Sequence, residues 1–167
     1  FLPERILDRV NALIYYSYDP DYFEVETHGS VFSFASNLDV AKYSIKKSPI
    51  WGSGLGGHEG MYFKYYKNTS LELHPLYKIN YNSAHSLTIR ILSELGLLGI
   101  FLYILFFVKT YIKRSNNRMH HILWLSCFSH FICKTFKLGG YFDYGTPFFF
   151  VFIMVLFTVN KLSKTKA

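Results

Sequence analysis

From Leu95 to Ile112 the chain reads LGLLGIFLYILFFVKTYI, an apolar run of 18 residues whose one charge is Lys109. A helix of that length reaches about 27 Å, close to the roughly 30 Å of a bilayer's hydrocarbon. Lys109 lies near enough to the end of the run for its ammonium to snorkel to the boundary. Two further stretches have comparable length. Met119 to Phe136 carries His120, His121, His130 and Lys134, and Tyr141 to Asn160 has PFFFVFIMVLFTV as its body, with Pro147 near its beginning, where a helix tolerates proline best. These read as three transmembrane helices over about 95–112, 119–136 and 141–160. They follow an extracytoplasmic loop region over 1–93, so the fold class is all-α and polytopic.

Charge supports and orients this reading. Residues 1–94 hold nine Lys and Arg against ten Asp and Glu, whereas residues 95–167 hold nine basic residues and one acid, Asp143. Lys109, Lys113, Arg114 and Arg118 fall between the first two spans, and Lys161, Lys164 and Lys166 follow the third. With three spans these two groups share a side, which the positive-inside rule makes cytoplasmic. The N-terminal region and the connection KLGGYFDYG then lie outside. A nucleic-acid partner is not expected, because the basic excess is interleaved with apolar runs instead of covering a polar face. At 50% hydrophobic and 17% charged the chain is no disordered tail. It opens on Phe1 without a leader pattern, and reads as part of a longer protein.

Within the outer region, Phe34, Leu38, Ala41 and Ile45 recur at helical spacing, predicting an amphipathic helix from Phe32 to Lys47 that stops before Pro49. A glycine-rich loop follows, Ile50 to Gly60, and then a polar, Tyr- and Lys-rich stretch from Met61 to Tyr81 that reads as irregular. Asn82 or Ser83 is a suitable N-cap for a helix starting at Ala84 and continuing into the first span. That places His85 in its first turn, at the outer interface. Cys127 and Cys133 stand about 120° apart on a helix and read as free thiols packed as small hydrophobes.

The segments SPIWGSGLGGHEG (Ser48 to Gly60) and NSAHSLTIRILSELGLLGIFLYI (Asn82 to Ile104) carry a family resemblance. An amphipathic helix, a Pro-Ile-x-Gly-x-Gly-x-Gly loop, a polar insert, His-Ser, then Glu-Leu-Gly-Leu-Leu-Gly at a membrane helix resembles the O-antigen ligase and O-antigen polymerase superfamily. The likeness covers residues 31–112 closely and the last two spans by position. It implies a multi-pass glycosyltransferase of the bacterial inner membrane, with the N-terminal segment periplasmic. Its donor would be a glycan on undecaprenyl pyrophosphate and its acceptor another glycan (polymerase) or lipid A core (ligase), as in lipopolysaccharide biosynthesis.

The resemblance makes His85 the candidate catalytic group. Taking a proton from an acceptor hydroxyl suits a base with a pKa near 6.5. Substrate-binding candidates are Ser86, Arg90 and the loop glycines Gly52, Gly54, Gly56 and Gly57. Successive glycine N–H groups form an anion-binding nest or, equally well, a tight turn. Arg90 lies about 140° around a helix from His85; it contacts donor pyrophosphate or pairs with Glu94 at i, i+4. His58, Glu59, His74 and His85 lack the spacing of a metal site, so no metal and no cofactor are expected. Two departures from the family pattern stand out. Ser36-Asn37-Leu38 occupies the vicinity where an Arg is usual, and the Ser-Arg signature of an earlier membrane helix is not in these residues. The donor site is therefore incomplete here and the segment is expected to be inactive alone. The alternative from another class is a non-enzymatic flippase or transporter segment, with glycines bending the chain and His85 lining a path.

Overall fold

The computed structural model describes residues 4–18, 29–73, 76–112, 117–137 and 139–165. Among these it is all-helical, with no strand. In chain order the helices are α1 (Glu4–Tyr18), α2 (Gly29–Lys47), α3 (Gly57–Tyr66), α4 (Leu87–Thr110), α5 (Arg118–Phe136) and α6 (Thr146–Thr165), with short 3₁₀ turns at Ser70–Leu73 and Asp143–Gly145. α2 is the hub of the N-terminal part and packs on α1, α3 and the first half of α4, whereas α5 packs on α4 and α6.

α2 stops at Lys47 as its sequence predicts, but it buries a different face from the expected one. Phe34, Leu38 and Ile45 are only half-buried, and the fully buried set includes Ser33, Ser36, Asn37, Val40, Ala41 and Ser44. Small side chains let two helix backbones come close enough for direct bonds between them, and Ser44 Oγ donates to the Ser93 carbonyl at 2.6 Å. The bulkier stripe flanks that seam, with Phe34 and Leu38 packing around Ala41, Ala84 and Ile89.

The stretch expected to be irregular is partly helical. His58, Tyr62 and Tyr66 recur every four residues on the buried side of α3, a stripe hidden from a hydropathy reading because its members carry polar groups. Tyr62 is fully buried and its hydroxyl donates to the Tyr77 carbonyl at 2.5 Å. With Val31, Phe32 and Leu71 these tyrosines make the first core.

α4 begins later than expected. Its N-cap is Ser86, whose Oγ accepts from the Ile89 N–H at 3.2 Å, the reach an N-cap hydroxyl makes to the N3 position. Asn82 and Ser83 lie in the preceding turn. α6 also starts late, at Thr146, because the Asp143–Gly145 turn and a left-handed Gly145 (φ 71°) precede it. α5, α6 and the end of α4 share a second core of Ile112, Trp124, Cys127, Phe131, Ile153 and Leu156. Both cysteines are free; Cys127 is buried in this core but Cys133 is exposed rather than packed.

Among the described residues one helix, α4, is long and apolar enough to cross a membrane; α6 has a shorter apolar body, Thr146–Leu162. The histidines, Arg118 and Lys134 keep α5 below that level. Outward-facing apolar side chains nonetheless continue over α4, α5 and α6, as at Phe101, Val108, Leu125, Ile132, Val151 and Val155.

Candidate functional site

α4 is broken at Gly96, whose φ of 62° and ψ of −153° lie in a region open essentially to glycine alone. A break costs a helix the bonds from residues i to i−4, here those of the Leu97 and Leu98 N–H groups to Ser93 and Glu94. The glycine loop replaces both sides of that loss. Leu97 donates to the Pro49 carbonyl at 2.9 Å and Leu98 to the Ile50 carbonyl at 3.2 Å, while Ser53 and Gly54 donate to the freed Ser93 and Glu94 carbonyls at 2.9 and 2.8 Å. The approach is so close that a Cβ on Gly52 would lie 2.6 Å from the Glu94 carbonyl carbon, and one on Gly96 would lie 2.6 Å from the Ile50 oxygen. Gly52 and Gly57 spend their own N–H groups on the Ser48 and Gly54 carbonyls. The N–H groups of Gly52, Gly54 and Gly57 are thus committed to the chain's own backbone, in the geometry of a docked turn. Gly56 has left-handed backbone just before α3, and Trp51 is exposed.

His85 lies in the turn that delivers the chain to α4, not in the helix. It and Ala84 both have positive φ, 61° and 54°, which costs an ordinary residue about 1–2 kcal/mol each. Burial of Ala84 against Ala41 and Ile89 holds the turn, and the Ala84 N–H donates to the Asn80 carbonyl at 3.0 Å. From below, a side chain at Gly139 would overlap the Ser83 and Ser86 carbonyl oxygens, so the α5–α6 connection presses on the same turn. The imidazole stands half-buried with Nδ1 3.0 Å from Ser33 Oγ and its ring edge-on to Phe34. Asn80 Nδ2 also donates to Ser33 Oγ, at 3.0 Å. A hydroxyl has two lone pairs, so Ser33 can accept from Asn80 and from His85 Nδ1–H together. That tautomer leaves Nε2 unprotonated. Burial first, and the nearby Lys137 charge second, hold the His85 pKa below its ordinary value.

Arg90 and Glu94 form an ion pair on α4, Nε to Oε1 at 3.1 Å, with side chains 18% and 0% exposed. The Arg90 guanidinium also lies 4.6 Å over the Tyr141 ring. Arg90 therefore has two intramolecular partners, and the i, i+4 pairing is the arrangement present. Removing it would leave Glu94 charged and buried, which costs about 3–5 kcal/mol. Arg90→Ala is accordingly expected to lower the thermal stability of the solubilised protein sharply. Arg90→Ala/Glu94→Gln should recover most of the loss; equal destabilisation of the single and double variants would contradict this account.

Beside this pair is a polar cavity of about 300 Å³ at the N-terminal end of α4, walled by Asn82, Ser83, Arg90, Tyr141, Phe142 and Asp143. Its floor is fixed by Lys134, a buried α5 side chain whose Nζ donates to the Gly140 carbonyl at 2.6 Å. An apolar groove of about 340 Å³ lies on the other side of Tyr141, between Leu87, Ile91, Phe131 and Phe150.

Deeper in, His58 is fully buried on α3 and its Nε2 is 2.8 Å from Asn37 Oδ1. Asn37 in turn donates to the Ser33 carbonyl at 2.6 Å, which ties α3 to the stretch of α2 that faces His85. Burial, reinforced by the charge of Arg90, lowers the His58 pKa to about 4. Below pH 6.5 the unfolded chain therefore takes up a proton that the folded one refuses. Stability contributed by neutral His58 is full above pH 6.5 and lost as pH falls toward 4, by about 1.4 kcal/mol per unit and about 3 kcal/mol in all. Unfolding measured from pH 7.5 to 4 should show that loss in the wild type and its absence in His58→Gln.

The structure thus gathers Ser86 and His85 at one turn, sets Arg90 one helical turn below, and places Gly52, Gly54 and Gly57 at the α4 break. Ser33, Asn37, Asn80, Lys137 and Tyr141 were not singled out from sequence. Ser33 is 52 residues from the ring it contacts, and a serine on a helix carries no signal of such a role. Among the described residues no group of three or more His, Cys, Asp or Glu side chains gathers as metal ligands do; His74 lies outside those residues. No family model, curated protein or solved structure matches the chain.

Proposed function

We propose that this chain is part of a polytopic bacterial inner-membrane glycosyltransferase of the O-antigen polymerase or ligase kind. In this reading α4, α5 and α6 are three of its spans and the region before them is periplasmic. The outward apolar surface of the three helices supports the membrane part, because a water-soluble helical bundle would bury such side chains. The His85 geometry carries the functional part. A ring held by Ser33 at Nδ1 and lowered in pKa by burial can, in the tautomer that gives its Nδ1–H to Ser33, accept a proton at Nε2.

The reaction balances as a single displacement. Nε2 takes the proton of the acceptor hydroxyl, and that oxygen bonds to the donor sugar's anomeric carbon from the face opposite the leaving group. The bond from that carbon to the pyrophosphate oxygen breaks, and polyprenyl pyrophosphate departs with the electron pair. Inversion at the anomeric carbon follows. Lys137, whose charge His85 already feels, supplies positive charge for the departing pyrophosphate, so the proposed chemistry uses no metal and no cofactor. The partners are the lipid-linked oligosaccharide donor, a glycan or lipid A core acceptor, and membrane lipids.

The break at Gly96 is the observation that favours the alternative of a transporter, where broken helices expose backbone groups to cargo. Here the freed groups at the break are taken by the glycine loop, which supports the enzyme instead. The test is glycan transfer by the full-length protein carrying His85→Ala, read as a glycan ladder on a gel. Wild-type ladders from that variant would end the proposal. Loss of long chains with single-unit addition retained identifies a polymerase, and loss of all addition to lipid A core identifies a ligase.

A further inference from the structure

We propose that the polar cavity between the Asn82–Ser83 turn, Arg90 and the Tyr141–Asp143 loop is a subsite for one neutral sugar ring. This rests on the reading of the chain as a glycosyltransferase and assigns the cavity to a glycan residue instead of to pyrophosphate.

Charge decides between these two ligands. The charges around the cavity balance among the described residues: Arg90 is held by Glu94 at 3.1 Å, and Lys134, bonded beneath the floor to the Gly140 carbonyl, faces the Asp143 carboxylate of the wall. A phosphate would meet an acid in the wall and no excess of positive charge to hold it. A polyol has the reverse preference. Its hydroxyls donate to the Asp143 carboxylate, a charge-assisted bond, and accept from Asn82 and from the guanidinium N–H groups that Glu94 leaves unused. Ser83 Oγ, engaged only by a long 3.5 Å contact to the Asn80 carbonyl, can do either.

The aromatic part of the wall fits the same ligand. The Tyr141 ring is covered by Arg90, whereas Phe142, an apolar ring in the cavity wall, is 83% exposed. The C–H face of a pyranose carries partial positive hydrogens and packs on the negative face of such a ring. A volume of about 300 Å³ is at the lower end of small-molecule pockets, the size for one ring and not an oligosaccharide. Ser83 stands two residues before His85, so a sugar seated here joins the glycan whose hydroxyl or anomeric carbon reacts at that histidine.

Ligand-observed saturation-transfer NMR on the full-length protein in lipid nanodiscs tests the proposal, with methyl glycosides of glucose, galactose and N-acetylglucosamine as probes and inorganic pyrophosphate as competitor. Transfer to at least one glycoside is expected for the wild type and equally for His85→Ala. Phe142→Ala and Asp143→Asn should each weaken it about tenfold or more, and Phe142→Tyr, which keeps the ring, should retain it. No transfer to any glycoside, or unchanged binding in both Phe142→Ala and Asp143→Asn, overturns the sugar subsite. So does displacement by pyrophosphate that becomes tighter in Asp143→Asn, the mark of an anion site. Glycan transfer that survives His85→Ala would refute the proposed catalysis while leaving these sugar-binding results intact.

Discussion

On the proposed glycosyltransferase reading, replacing His85 by alanine in the full-length protein is expected to reduce glycan transfer by about 10²–10⁴-fold, the contribution of a positioned general base. The backbone at this residue argues for a specific effect. Position 85 has φ of 61°, which alanine adopts no more easily than histidine, so the turn is equally strained in both and membrane expression should hardly change. pH dependence separates a base from a packing residue. The His85 pKa is depressed by burial and by Lys137, and only the neutral ring can accept a proton. Rate should therefore rise with pH, with its midpoint below the ordinary histidine value of about 6.5, and lose that rise in the alanine variant. Ser33→Ala removes the group that fixes the tautomer without touching the reacting atoms. It should lower the turnover number by about tenfold or more with the Michaelis constant little changed, as loss of a partner behind a functional imidazole does. An unaltered pH profile in Ser33→Ala would mean that this contact only fills space.

The largest structural effect is expected at Gly96. Gly96→Ala places a non-glycine residue at φ 62°, ψ −153°, worth about 1–3 kcal/mol of strain, and pushes a methyl toward the Pro49 and Ile50 carbonyl oxygens, worth about 1–3 kcal/mol more. The sum, about 2–6 kcal/mol, is comparable with the whole stability of many domains. The four backbone bonds that join the loop to the broken helix should fail together. Gly52→Ala meets the Glu94 carbonyl and the Gly96 nitrogen from the other side and should behave alike. Gly54 is the internal comparison: it also has positive φ, 88°, but nothing lies within 4 Å of its missing Cβ. Gly54→Ala should therefore cost about 1 kcal/mol, the conformational penalty alone. Unfolding temperatures of the three purified variants decide this, and equal losses at Gly54 and Gly96 would refute the docked-turn account.

Much of the helical plan was legible from composition and spacing. All but the last two residues of the apolar run from Leu95 to Ile112 lie in α4, the end of α2 before Pro49 follows from proline's effect on the preceding residues, and α5 occupies nearly the stretch its apolar residues mark. Where the reading slipped, competing physics explains it. α3 escaped notice because its buried stripe is His58, Tyr62 and Tyr66, and residues that can be either buried or exposed give periodicity methods little contrast. α2 turned its small polar residues inward because a close approach to α4 rewarded small size over hydrophobicity. The start of α4 moved to Ser86 because Asn82, Ser83 and Ser86 can all cap, and only the turn held by Ala84 selects among them.

By itself the sequence determined where helices are stable, where glycine and proline permit breaks, that its basic excess lies in the second half, and that a His-Ser pair precedes the longest apolar run. These are properties of residues and their near neighbours, set by backbone sterics and by transfer from water. Only the tertiary structure decided that Ser33, itself held by Asn80, meets the His85 ring, that Gly52 and Gly96 meet backbone to backbone, that Tyr141 lies against Arg90 and that Asp143 shares a cavity with it. Each of those joins groups separated along the chain, and hydrogen bonds and ion pairs act over a few ångströms of space, a distance that local pattern does not encode.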